Sequence, residues 1–126
     1  MQSSPICALV ADDDPISRGI VAEQLMRLGV SSVRSASSGA KALRELESDN
    51  RIHLLVTDLK MPDMDGIALL RALDAANSSV AIIIMSALGD KLLRAAATIG
   101  VGHHLNIIGV SAKPVRMDRL SKMLGK

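Results

Sequence analysis

No phenylalanine, tyrosine or tryptophan occurs in the 126 residues. Any role that needs an aromatic ring is thereby excluded, stacking on nucleic-acid bases included. Leu, Ile, Val, Ala and seven Met must fill the core instead. Cysteine is almost as scarce. Cys7 stands alone, so it forms no internal disulfide, and its apolar run marks it as a small core residue. That usage fits a reducing cytoplasm. Neither sign of charge dominates, with 15 Lys and Arg against 13 Asp and Glu and a formal net charge of +2. The basic residues are scattered among the acids, so direct nucleic-acid binding by this domain is not expected. Nothing approaches membrane-spanning length, and no basic stretch followed by a signal-type apolar region opens the chain. The expectation is a soluble, cytoplasmic protein with no membrane association.

What is present suits one globular domain spanning residues 1–126, since 48% of the residues are hydrophobic and 22% charged. Folding at this size buries roughly two-thirds of the unfolded surface. Five short apolar runs recur: ICALVA (6–11), SVRSA (32–36), HLLVT (53–57), VAIIIMS (80–86) and LNIIGV (105–110). Four are nearly continuously apolar, as strands covered on both faces are, while SVRSA alternates and reads as a sheet edge. Segments with helical spacing separate them. Asp14 before Pro15 marks a helix start, with Ile20, Val21, Leu25 and Leu28 on one face and Gly29 closing it. Further helices are expected after Ser38 (Ala42, Leu43, Leu46 inward) and from Asp65–Gly66 (Ile67, Leu70, Leu73). Two more are expected near Asp90 (Leu93, Ala96, Ala97) and after Pro114 (Val115, Leu120, Leu124). Strands alternating with helices imply parallel pairing through right-handed crossovers, hence an α/β fold with helices on both faces of one sheet.

In such sheets functional groups gather beyond the carboxyl ends of the strands. Those ends carry Asp12 and Asp13, Asp58, Ser86 and, after the fifth run, Lys113. Three carboxylates brought close repel one another unless a cation intervenes. Their hard oxygens suit Mg2+, which keeps open positions that phosphate oxygens fill. No His or Cys stands at these strand ends, so a zinc-type site is disfavoured. Asp58 then has the setting of a nucleophile that forms an acyl phosphate. Lys113 would supply positive charge to the phosphoryl oxygens and Ser86 a hydroxyl.

Four motifs in order, VADDDP (10–15), VTDLKMPDMDG (56–66), MSA (85–87) and VSAKPV (110–115), closely resemble the receiver domain of bacterial two-component response regulators. The resemblance covers essentially the whole chain. It implies a flavodoxin-like (βα)5 three-layer sandwich whose five-stranded parallel sheet has the order 2-1-3-4-5. It implies that Asp58 accepts a phosphoryl group from a sensor histidine kinase or a histidine phosphotransfer protein. Mg2+ or Mn2+ would be held by Asp13 directly, by Asp12 through water, by Asp58 and by the backbone carbonyl of Lys60. Ser86 and Lys113 would bind the phosphoryl group and switch a surface around the fourth helix, fifth strand and fifth helix. Met61, Pro62 and Gly66 match the loop that shapes the site, and Asp14, Asp63 and Asp65 match caps and loop acids. Turnover of an external substrate is not expected. An output domain or downstream protein is the implied target, and a phosphorylation-linked dimer is compatible with the family.

Departures from the family pattern carry information. Many receivers have Tyr or Phe three residues before the lysine, where this chain has Val110, so a ring-flip switch is excluded. The signal must then pass through Ser86, the loop after it or the fourth helix. Lys60 and Leu88 match positions that, the resemblance implies, tune phosphoryl-group lifetime in that family. The LNIIGVSAKPV ending (105–115) resembles receivers fused to cyclic-di-GMP phosphodiesterase (EAL) domains. A chain ending soon after its last helix suits a single-domain regulator or a receiver cut from its output domain. His103 and His104 read as the end of the fourth helix rather than as metal ligands, since adjacent side chains point different ways. Two alternatives stand beside the receiver reading. One is a phosphorylation-independent interaction module of the same fold. The other is a Mg2+-dependent phosphohydrolase of the haloacid dehalogenase type, for which Asp12 and Asp14 have the DxD spacing but no cap domain is present. A dinucleotide-binding Rossmann domain fails, because DDDP rather than a glycine-rich turn follows the first strand.

Overall fold

Alternate residues of the central strands divide the core in two. In β3 (Leu54–Asp58), Leu54 and Val56 join one apolar cluster and Leu55 the other. The same alternation runs through β1 (Cys7–Ala11) and β4 (Ala81–Ser86). Leu9, Ala11, Ile82 and Ile84 side with Leu55, whereas Ala8, Val10, Ile83 and Met85 side with Leu54 and Val56. This is the period of strands buried on both faces. With β2 (Ser32–Ala36) and β5 (Ile107–Ala112) they make one five-stranded sheet in the order β2-β1-β3-β4-β5, every pairing parallel. The alternating SVRSA run is an edge strand, as its pattern predicts. The structure, a computed structural model, describes residues 6–61, 63, 64, 66–87 and 105–126.

Helices cover both faces. Val21 and Leu25 of α1 (Pro15–Arg27) and Leu120 of the C-terminal helix α4 (Met117–Met123) pack on one side. Ala42 of α2 (Gly39–Ser48) and Leu69, Leu70 and Leu73 of α3 (Gly66–Ala75) pack on the other. Each leucine so buried contributes about 1.5–3 kcal/mol. The helix starts follow local chemistry. Asp14 accepts a hydrogen bond from the Ile16 amide at 3.0 Å with Pro15 as the first helical residue, and Ser38 accepts from the Lys41 amide at 3.2 Å. Gly29, at φ +94°, turns the chain after α1 in a conformation that disfavours any side chain.

Two expectations need correction. Ile20 is 53% exposed rather than inward; Val21 and Leu25, one turn apart, carry the contact, and Ile20 lies about 100° round from Val21. The fifth strand covers Ile107–Ala112, not 105–110. Ile82 pairs with Ile107 but Ile83 with Gly109, so Ile108 is left unmatched and the pairing runs further along the chain. The helix expected near Asp90 lies outside the described residues, as do Pro62, Asp65, Leu88, His103 and His104. Among the described residues no helix is long and apolar enough to cross a membrane.

Candidate functional site

The sheet brings the expected acids together. Ala11 pairs with Thr57, so Asp12 and Asp58 stand side by side one residue further along β1 and β3. The Asp12 amide still donates to the Ala36 carbonyl at 3.1 Å, which keeps the chain in step with β2 as it leaves the sheet. Carboxylate oxygens of Asp12, Asp13 and Asp58 lie within 4.8 Å of one another. Asp12 is fully buried and Asp58 is 6% exposed, while Asp13 is open to solvent. Such a group could hold a metal ion.

Lys113 arrives from the end of β5. Its Nζ donates to Asp12 Oδ2 at 2.6 Å and to Asp58 Oδ2 at 3.1 Å. The Lys113 amide donates to the Ser86 carbonyl at 2.9 Å, which ties the lysine backbone to the end of β4. The second carboxylate oxygens take backbone donors: Asp12 Oδ1 accepts from the Asp14 amide at 3.0 Å and Asp58 Oδ1 from the Lys60 amide at 3.3 Å. Burial alone would raise the Asp12 pKa. The Lys113 ammonium, the Asp14 amide and the Ser17 hydroxyl together outweigh it and hold the carboxyl below its ordinary range. Burial alone would lower Lys113, but its hydrogen bonds to Asp12 and Asp58 and their negative charge win, so it sits above the usual lysine value. Asp12 and Lys113 are thus each held in the charged form.

The remaining expected residues fall around this centre. Ser86 is the buried last residue of β4, paired with Ala112 immediately before Lys113. Met61 is buried in the core. The Gly66 amide donates to the Leu59 carbonyl at 2.8 Å, closing the loop back onto the residue after Asp58. Asp14 and Asp63 act as caps and loop acids. Asp14 starts α1, and the Asp63 carboxyl is held low by the Ser38 hydroxyl and backbone amides despite some burial. Val110, half-buried, packs against the cluster containing Ile82 and Ile84. Spacing alone missed Ser17 and Arg18. Arg18 Nη1 donates to the Asp12 carbonyl at 2.8 Å, and the Ser17 hydroxyl helps to lower the Asp12 pKa. Their only sequence signal is their place in the first turn of a helix that starts directly after the acids.

A five-stranded doubly wound sheet with three acids and a lysine at its carboxyl edge defines a flavodoxin-like domain with a charged site at the usual functional edge. The profile of the response regulator receiver domain matches residues 8–125, and the chain belongs to that family. It is therefore a receiver domain of two-component signalling. A probable chemotaxis protein CheY from Rhizobium etli is 31% identical over 118 residues, covering 91% of this chain and 86% of that protein. The cyclic di-GMP phosphodiesterase RocR of Pseudomonas aeruginosa is 28% identical over 116 residues, covering 92% of this chain but only 30% of RocR. A crystal structure of a receiver domain protein from Clostridium thermocellum superposes with a TM-score of 0.82 at 28% identity, covering 95% of this chain and 91% of that one.

Proposed function

We propose that Asp58 takes a phosphoryl group from a phosphohistidine on a sensor histidine kinase or a histidine phosphotransfer protein. The observation that carries this reading is the Lys113 ammonium lodged between the Asp12 and Asp58 carboxylates, with Asp13 at the rim. A carboxylate oxygen of Asp58 bonds to phosphorus as the P–N bond of the donor breaks, and the electron pair returns to the donor's imidazole nitrogen. Charge spreads over the phosphoryl oxygens, so the task is positioning and neutralisation. Lys113 is already in place to pair with the new charge, and Ser86, at the adjoining strand end, offers its hydroxyl. The all-oxygen donor set fits a hard dication, with Asp12, Asp13, Asp58 and the Lys60 carbonyl as its holders. Bound Mg2+ or Mn2+ would add positive charge facing the phosphoryl oxygens.

The tie between the Lys113 amide and the Ser86 carbonyl supports a route for the signal that needs no ring at Val110. A phosphoryl group that draws Lys113 away from Asp12 would be felt at the ends of β4 and β5, and through them by an output domain, a downstream protein or a second copy of the chain. Ile16 and Ile20, exposed on α1 and lining a cavity of about 310 Å3 with Lys113 and Val115, suit the donor's resting place beside Asp58. Residues 1–126 act in this reading as one cytoplasmic receiver domain without turnover of an external substrate. Asp14, the second acid of a dehalogenase-type pair, is spent on capping α1, which argues against the phosphohydrolase alternative. The similarity to RocR supports the subgroup linked to EAL domains.

Incubation with a small acyl phosphate and Mg2+, read by intact mass, tests the proposal. One phosphoryl adduct is expected, lost on chelation and in Asp58→Asn. A wild-type chain that takes no phosphoryl group, or an adduct undiminished in Asp58→Asn, refutes it. Steady release of phosphate from a phosphomonoester would restore the hydrolase.

A further inference from the structure

Arg18 lines a cavity of about 670 Å3 that contains none of the acids of the Asp58 site. The cavity is walled by the end of β2 and the residues after it, Ser35 and Ser37 among them, and by Lys41, Arg44 and Ser48 of α2. Arg18 is anchored through one of its N–H donors to the Asp12 carbonyl at 2.8 Å. Lys41 and Arg44 stand three residues apart, hence on one face of α2, and both are exposed. The Lys41 Nζ donates to Ser37 Oγ at 3.1 Å, which brings the ammonium over the end of β2. The one carboxylate on the wall, Glu45, is already engaged by Arg34 at 3.0 Å. Three cations therefore face the cavity against a single acid that has its own partner. The whole chain carries a net charge of only +2. Charges scattered along the sequence have been gathered by the fold.

The chemistry of this wall is narrow. It offers cations and serine hydroxyls, and in a chain with no aromatic residue it offers no ring for stacking. Charge-assisted hydrogen bonds to phosphate-type oxygens are what guanidinium and ammonium groups at such a wall make best. The volume lies within the roughly 300–1,000 Å3 typical of small-molecule sites and is more than a lone phosphate fills. We propose that this cavity, walled by Arg18, Lys41 and Arg44, binds a small molecule carrying two or more phosphate groups, at a site separate from Asp58. The proposal goes beyond phosphoryl transfer and does not depend on it.

The test titrates inorganic pyrophosphate into the 15N-labelled chain, with chelator present and ionic strength held constant. Saturable amide shifts centred on residues 35–37 and 41–48 are expected, with inorganic phosphate binding more weakly. Lys41→Gln with Arg44→Gln, both at exposed positions, should weaken pyrophosphate by roughly tenfold or more, since each removes a charge-assisted hydrogen bond. Arg71→Gln with Lys122→Gln makes the same charge change at exposed positions elsewhere and should leave affinity unaltered. The amide spectra themselves report that each variant is folded. Absence of saturation, shifts centred on Asp58 and Lys113, equal weakening in both double variants, or phosphate binding as tightly as pyrophosphate would each overturn the proposal.

Discussion

Alanine at Gly66 and alanine at Gly19 should move stability in opposite directions. A Cβ on Gly66 would lie 2.7 Å from Leu59 Cα, 2.8 Å from the Asp58 carbonyl oxygen and 2.8 Å from Leu59 Cδ2. Two of those atoms are backbone, so the clash cannot be relieved by turning a side chain. The strand end that carries Asp58, or the start of α3, must shift. Overpacking of this kind costs about 1–3 kcal/mol. Gly19 sits inside α1, and a Cβ there meets nothing within 4 Å. Alanine should stabilise that position by about 0.5–1 kcal/mol through helix propensity and a less disordered unfolded chain. With no Trp or Tyr to report unfolding, urea titration followed by far-UV circular dichroism is the assay. At a urea slope of about 1–2 kcal/mol per molar, the midpoints of the two variants should differ by about 0.75–4 M, with wild type between them. Gly66→Ala should also slow phosphorylation of Asp58, because the displaced backbone is the acceptor's own. A Gly66→Ala midpoint at or above wild type, or both variants moving the same way, would refute the reasoning from close approach.

Other predictions rest on burial and charge. Asp13→Asn should lower Mg2+ affinity, and because it removes one of three clustered carboxylates it should keep or raise stability in Mg2+-free buffer; isothermal titration and urea melts read the two effects separately. Leu25→Ala should cost about 2–5 kcal/mol, whereas Ile20→Ala on the same helix, more than half exposed, should fall within about 0.5 kcal/mol of wild type in the same urea titration. Asp12 lies below its ordinary pKa of 3.8 and Lys113 above its ordinary 10.5, so their charged forms favour the folded state. The Asp12 contribution is complete above 3.8 and is lost as pH falls through the folded value; the Lys113 contribution is complete below 10.5 and is lost as pH rises through its folded value. Urea midpoints without Mg2+ should therefore fall at both extremes, and Lys113→Met should flatten the alkaline limb.

Much of the site can be read along the chain because its parts end strands. Asp12, Asp58 and Ser86 close apolar runs, and a parallel α/β arrangement sends all such ends to one edge. The helix starts at Asp14 and Ser38 and the turn at Gly29 are equally legible, since a cap is decided by residues within one turn of it. Local pattern also marks β2 as an edge strand but misses β5, the other edge, whose run is as apolar as the central ones and which is only partly buried. It does not say which of two neighbouring apolar residues meets the sheet. Ile20 and Val21 look alike in sequence, and only the placement of α1 against β1 and β2 exposes the first and buries the second.

Packing alone decided the rest. The Lys113–Asp12 bond joins residues 101 positions apart, and nothing in either neighbourhood sets its 2.6 Å length. The unmatched Ile108 follows from how β5 must meet β4. Arg18 reaches the Asp12 carbonyl, and Arg18, Lys41 and Arg44 come to face one cavity, because α1 and α2 flank the same edge strand. Sequence patterns report interactions whose range is a turn or a strand repeat. Distances between groups far apart along the chain are set when the helical layers settle on the sheet, and there the charges either meet or miss.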